Sequence, residues 1–161
     1  MRERVYRSAA VLVGLVILAG AVASCASSSK EMSSGMPSDI IAERQRLMKL
    51  KGASWADAQA KAKAGNIEGI AVNAETIAFI GRVTPDLFPE KTDSKTQTWA
   101  KPEIWQKWDD FKKASKNEEM KAGELRDASR AKDAAKVNAM MASFGREACG
   151  ACHTPFRTPK Q

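Results

Sequence analysis

Near the C-terminal end of the chain stand Cys149-Gly150-Ala151-Cys152-His153, a C-x-x-C-H spacing that attaches haem covalently. The chemistry explains the spacing. Two thiols add across the two vinyl groups of one porphyrin, and the adjacent imidazole then reaches the iron from one side. On a helix, Cys149, Cys152 and His153 fall at i, i+3 and i+4 and share a face. Other chemistries fit this pattern less well. A thioredoxin-like thiol pair sits after a first strand with most of its domain still to come, whereas only Thr154 to Gln161 follow here. A zinc site wants four ligands, and the chain offers one His and three Cys. A Cys149–Cys152 disulfide would close a very small loop.

The remaining cysteine, Cys25, belongs to a different signal. Arg2, Arg4 and Arg7 precede an apolar run from Ala9 to Ala23 and then small residues, the layout of a secretory leader. The run is shorter than the roughly 20 residues that span a bilayer. Val22-Ala23-Ser24-Cys25 resembles a bacterial lipobox, which predicts cleavage before Cys25 and lipidation of its thiol; ordinary cleavage after Ala23 or Ala26 is the alternative. Residues 1–24 are therefore read as leader, 25–37 as a Ser-rich tether, and 38–161 as one domain. Covalent haem is attached outside the bacterial cytoplasmic membrane, so export and C-x-x-C-H agree and point to the periplasm.

The full chain has 26 Lys and Arg against 19 Asp and Glu. Without residues 1–24, which hold three Arg and one Glu, 23 basic and 18 acidic residues remain, a net +5. That mild excess suits an acidic redox partner at most. The Lys are interspersed with Asp and Glu, as on solvated helix faces, and nucleic acid is not expected as a partner.

Strand signals are nearly absent while Ala, Lys, Glu and Met abound, so the expected fold is all-α, an antiparallel four-helix bundle enclosing the haem. The first helix is expected from Asp39 to about Ala64 with Ser38 as its cap, an apolar stripe of Ile40, Ile41, Leu47 and Met48, and Gly65 as its stop. A second spans about Ile67 to Gly81. A long connection, 82–101, carries Phe88 and Trp99. The third helix starts near Pro102 with Ile104, Trp105, Trp108 and Phe111 on one side and runs to about Ala128. The fourth runs from about Ala131 to Phe156, with Val137, Met140, Met141, Phe144, Ala148 and Cys152 at helical spacing.

His153 is the only histidine, so two imidazoles cannot share one iron here. The opposite face is left to Met, Lys, water, a gas or nothing. Met140 and Met141 share a helix with His153, roughly 18–20 Å away along its axis, and cannot reach across. Met32 and Met36 sit in the tether and Met120 in a polar stretch. Met48, four residues after Arg44, is the best-placed candidate, with plain core packing as its other reading.

These motifs together resemble the class II cytochromes c, the cytochrome c prime and cytochrome c-556 family, over residues 39–157. The resemblance rests on Arg44-Gln45 with Met48-Lys49, Phe88-Pro89, Lys101-Pro102-Glu103-Ile104-Trp105, and Phe144-Gly145 leading to Cys149, Cys152, His153 and Arg157. It implies one haem c with Cys149 and Cys152 as thioethers and His153 as proximal ligand. It also implies that position 48 separates a five-coordinate c prime branch from a six-coordinate c-556 branch with Met there. By the same resemblance Arg44 pairs with a haem propionate, Arg157 lies on the proximal side, and Phe88 lies near the haem edge. Pro155 departs from regular helix chemistry and threatens to end the last helix before Phe156 and Arg157; Gly145 suggests a close approach by haem or a helix.

The expected function is periplasmic electron transfer through a low-spin His153/Met48 iron, with no substrate transformed. A five-coordinate NO- or CO-binding haem protein is the first alternative, and a haem-free thiol redox protein or structural bundle the second. Redox proteins are the expected partners, with membrane anchoring through lipidated Cys25 and a monomer or homodimer as the assembly.

Overall fold

The computed structural model describes residues 37–90, 92 and 98–159. The leader, Cys25 and residues 25–36 of the tether lie outside the described residues. Six helices make four rods: α1 (Pro37–Lys63), α2 (Ile70–Val83), α3 (Glu103–Gln106) continued by α4 (Trp108–Arg130), and α5 (Ala134–Phe144) continued by α6 (Ala151–Phe156). A 3-10 turn, Pro85–Leu87, follows α2, and a π-helical turn, Gly145–Gly150, joins α5 to α6. Among the described residues no helix is long and apolar enough to cross a membrane.

The helix ends follow from local chemistry. After α1, Gly65 takes φ +72°; its N–H bonds the Ala62 carbonyl at 3.1 Å and the Asn66 N–H bonds that of Lys61 at 2.9 Å. This is the Schellman closure that a left-handed glycine permits. The same closure ends α4, where the Lys132 and Asp133 N–H groups bond the Ser129 and Ala128 carbonyls, but the left-handed residue there is Lys132, φ 57°. Asp133 then caps α5 by accepting from the Lys136 N–H.

The second helix, expected to about Gly81, runs on through it to Val83. The glycine serves packing, since a Cβ on it would lie 3.1 Å from the Glu119 backbone nitrogen. The Ser115 hydroxyl donates to the Gly81 carbonyl at 2.5 Å across the same seam, and Arg126 Nη1 reaches Glu75 at 2.9 Å further along it. The pairs 81 with 115 and 75 with 126 run in opposite directions, so α2 and α4 are antiparallel. Theirs is the most extensive interhelical contact.

The expected third helix is also broken. Lys107 adopts φ −122°, ψ 47°, which separates α3 from α4 and turns Trp105 and Trp108 independently toward the core. Two hydrophobic clusters result. One is aliphatic, from Ile70, Ala74, Ile77, Leu125 and Val137 to Phe144 and Ala148. The other is aromatic, with Ile104, Phe111 and Phe156 buried and Phe88, Trp105 and Trp108 packed against them. The Phe111 ring meets Phe88, Trp108 and Phe156 at centroid distances of 4.8, 5.5 and 5.4 Å.

The C-x-x-C-H segment and its surroundings

The fourth rod is not one regular helix. The π-helical turn ends at Gly150, so Cys149 lies within it while Cys152 and His153 lie in α6; such turns recur at functional sites. Cys149 packs against the aliphatic cluster and Cys152 against the aromatic one, which places the thiols at the seam between the two. Both are free and half-buried. Gly145 opens the π turn with nothing within 4 Å of a built Cβ, so of the two expected reasons for it, close approach of another helix is not met among the described residues.

Electrostatics distinguish this pair from a thiol redox centre. Burial pushes the Cys149 thiol up to about 11 and the Cys152 thiol up to about 12, with the Glu118 carboxylate adding to both. Redox C-x-x-C pairs need a depressed thiol that supplies thiolate near neutral pH. These thiols stay protonated, which weighs against the thiol oxidoreductase alternative. His153 has its imidazole pKa lowered by desolvation, then by the Arg157 and Lys51 charges. A neutral imidazole is the form that can ligate a metal.

Pro155 sits inside α6, yet the helix continues through Phe156, which is buried. Arg157 then turns extended, φ −127°, ψ 133°. The Lys101 N–H bonds the Phe156 carbonyl at 3.0 Å and the Thr158 N–H bonds that of Trp99 at 2.8 Å, forming a short antiparallel bridge between Ala100 and Arg157. The Arg157 guanidinium lies over the Trp99 ring at 5.2 Å.

On α1, the inward residues are Ile41, Arg44, Met48, Lys51, Trp55 and Ala58, advancing by three and four. Ile41, Arg44, Lys51 and Ala58 are buried and Met48 and Trp55 half-buried. Met48 packs against neither hydrophobic cluster among the described residues. The main backbone contact of α1 is with α2. Toward α4 and α5 it is bridged by long side chains: Lys51 reaches Glu118, and Trp55 stacks on Phe144 at 4.8 Å.

Arg44 is the least comfortable residue of this stripe. It is 3 % exposed, its guanidinium lies 4.4 Å from the Phe88 ring centroid, and it donates to the Thr92 carbonyl at 2.7 Å and hydroxyl at 3.3 Å. Its Nε has no partner, and no carboxylate accompanies the charge among the described residues. Desolvation lowers its pKa to about 10. A buried guanidinium with an orphaned donor suits an anionic group such as a propionate. The donor set fits haem in the same way, with two thiols and an imidazole within one short segment. Among the described residues no group of three or more His, Cys, Asp and Glu side chains could hold a bare metal ion. A groove of about 190 Å³ opens between α2 and α4, lined by Phe79, Arg82 and Met120 among others, and no residue of the motif lines it.

One buried ion pair escaped the sequence reading. Lys51 and Glu118, 7 % and 4 % exposed, form an ion pair of 2.5 Å inside the bundle, although the charges had been read as solvated. The available signal was position: Lys51 interrupts the inward stripe of α1, and Glu118 that of α4 between Ser115 and Ala122.

A helical bundle with two thiols at the seam of its clusters and a histidine directly after the second defines a c-type haem protein. A family model described as Cytochrome C' matches residues 39–157. The cytochrome c-556 of Agrobacterium tumefaciens is 32% identical over 123 residues, covering 74% of this chain and 98% of that protein. A cytochrome c' of Rhodospirillum rubrum is 38% identical over 85 residues, 53% of this chain and 57% of that protein, so the match spans little more than half the relative's length. The crystal structure of cytochrome c' from Rubrivivax gelatinosus superposes with a TM-score of 0.66 at 26% identity, covering 76% of this chain and 97% of that one. The chain belongs to the cytochrome c' family, and its cofactor is one covalently bound haem c.

Proposed function

We propose that the protein is an exported electron carrier, with Cys149 and Cys152 as the thioethers, His153 as one axial ligand and Met48 as the other. The observation that carries this reading is the place of Met48: inward on α1, between buried Arg44 and Lys51, outside both hydrophobic clusters. The haem supplies a one-electron ferric/ferrous couple, and a Met ligand favours the ferrous form. The chain's own residues fix the iron's surroundings: Arg44 receives a propionate beside Phe88, Arg157 sets a positive charge near His153, and the aromatic cluster around Cys152 keeps water out. No substrate is transformed. The leader places the protein in the periplasm, and Cys25 would tie it to a membrane.

A second reading has its own support. Two cytochromes c' match at 38% and 37% identity, against 32% for the c-556, which favours a five-coordinate iron with Met48 as a packing residue and the open face free for NO or CO. The absorption spectrum of haem-loaded protein separates the two. A low-spin ferric spectrum with the weak far-red Met–iron band, converted to high spin in Met48→Ala, is the expected result. A high-spin spectrum unchanged by Met48→Ala overturns Met48 ligation and selects the second reading.

A further inference from the structure

A buried ion pair is rarely retained for stability, because taking two charges out of water costs about as much as their attraction returns. Lys51 and Glu118 are such a pair, and they lie next to the haem-attaching residues. The Asn117 amide and the Lys121 ammonium, flanking Glu118, bond the carbonyl and carboxylate of Glu147 at 2.8 and 2.9 Å, which docks that turn of α4 against the π turn bearing Cys149. Lys51 stands one turn beyond Met48 on the inward stripe.

We propose that the Lys51–Glu118 pair acts as a fixed-charge device that sets the reduction potential of the haem, each charge offsetting the other's pull on the iron. This inference rests on the haem reading but not on which coordination it takes. Ferric iron carries one more positive charge than ferrous. A lone Lys51 ammonium would therefore favour reduction, and a lone Glu118 carboxylate would oppose it. Neither residue touches a reacting atom, so both are positioning residues acting through space.

The test is potentiometry of the haem-loaded protein carrying E118Q, K51Q, or both K51M and E118L. E118Q is expected to raise the potential and K51Q to lower it. At the effective dielectric of a protein interior, a nearby unit charge shifts the ferric/ferrous ratio on the order of tenfold, and tenfold corresponds to 59 mV for one electron. The double variant is expected to lie between the two single ones. Shifts of the same sign in both single variants, as water entry into a loosened core would give, overturn the proposal, and so does the absence of a shift in either. Each single variant also decides by its own sign if the other fails to fold. Wild-type protein that takes up no covalent haem, read by mass, would sink the haem assignment instead, so the two failures are distinguishable.

Discussion

Adding a single methyl group at Gly81 tests how the bundle holds its site. In Gly81→Ala the new Cβ would stand 3.1 Å from the Glu119 nitrogen, 3.4 Å from the Glu119 Cα and 3.5 Å from the Ser115 carbonyl oxygen. All three are backbone atoms of α4 and cannot swing aside, so the helices must part by a few tenths of an ångström. Overpacking of this kind costs about 1–3 kcal/mol, and the buried Ser115 bond to the Gly81 carbonyl stands to lose about 1 kcal/mol. Against that, Ala is better than Gly inside a helix by about 1 kcal/mol. The balance is a loss of about 1–3 kcal/mol, or roughly 4–12 °C in melting temperature for a domain of this size. Gly52→Ala is the matched control. Gly52 is exposed on α1 with nothing within 4 Å of its Cβ, so the same change there should raise stability by about 1 kcal/mol. Thermal and urea unfolding followed by circular dichroism would measure both. A Gly81→Ala protein as stable as wild type, or more so, would refute the close approach of α2 and α4.

Lys132→Gly should stabilise the fold by about 1 kcal/mol, because the left-handed turn closing α4 carries a side chain; the exposed Lys132–Glu68 pair it removes is worth little, and urea unfolding checks the sign. Phe144→Ala removes a buried ring stacked on Trp55 and should cost about 3–5 kcal/mol, read as a lower urea midpoint. Asp57, Asp109, Asp127 and Glu147 are held below the usual carboxylate range by bonds from Lys61, Lys112, Arg126 and Lys121 respectively. Their stabilising effect is complete above the ordinary values of 3.8 and 4.5 and is lost as pH falls through the lower native ones. Unfolding midpoints should therefore drop below about pH 4, and a flat profile there would contradict the bonding.

The all-helical class, the four rods and the thiol–imidazole segment were legible because each rests on local pattern. Gly65 closes α1 as its type demands, and the apolar spacing from Val137 to Cys152 marks the last rod. What escaped depends on partners distant in sequence. Lys51 read as a surface charge because nothing local says that Glu118 awaits it, and Arg44, expected to meet a propionate, gave no local sign of its bonds to Thr92. The packing role of Gly81 was hidden because it is set by Glu119 on another helix. The π turn was hidden because one extra residue in a turn leaves the apolar pattern almost regular. Pro155 suggested an early end to the last helix, but the bridge to residues 99–101 holds that end in place.

That bridge ties the last part of the domain to a connection made some fifty residues earlier, and Phe156 completes a cluster otherwise supplied by Phe88, Ile104 and Phe111. A chain emerging from a ribosome or translocon therefore carries its aromatic side chains half-covered until the final residues arrive. Closure of the bundle is a late, long-range event, and a truncation of even the last few residues of α6 would leave those rings open to water.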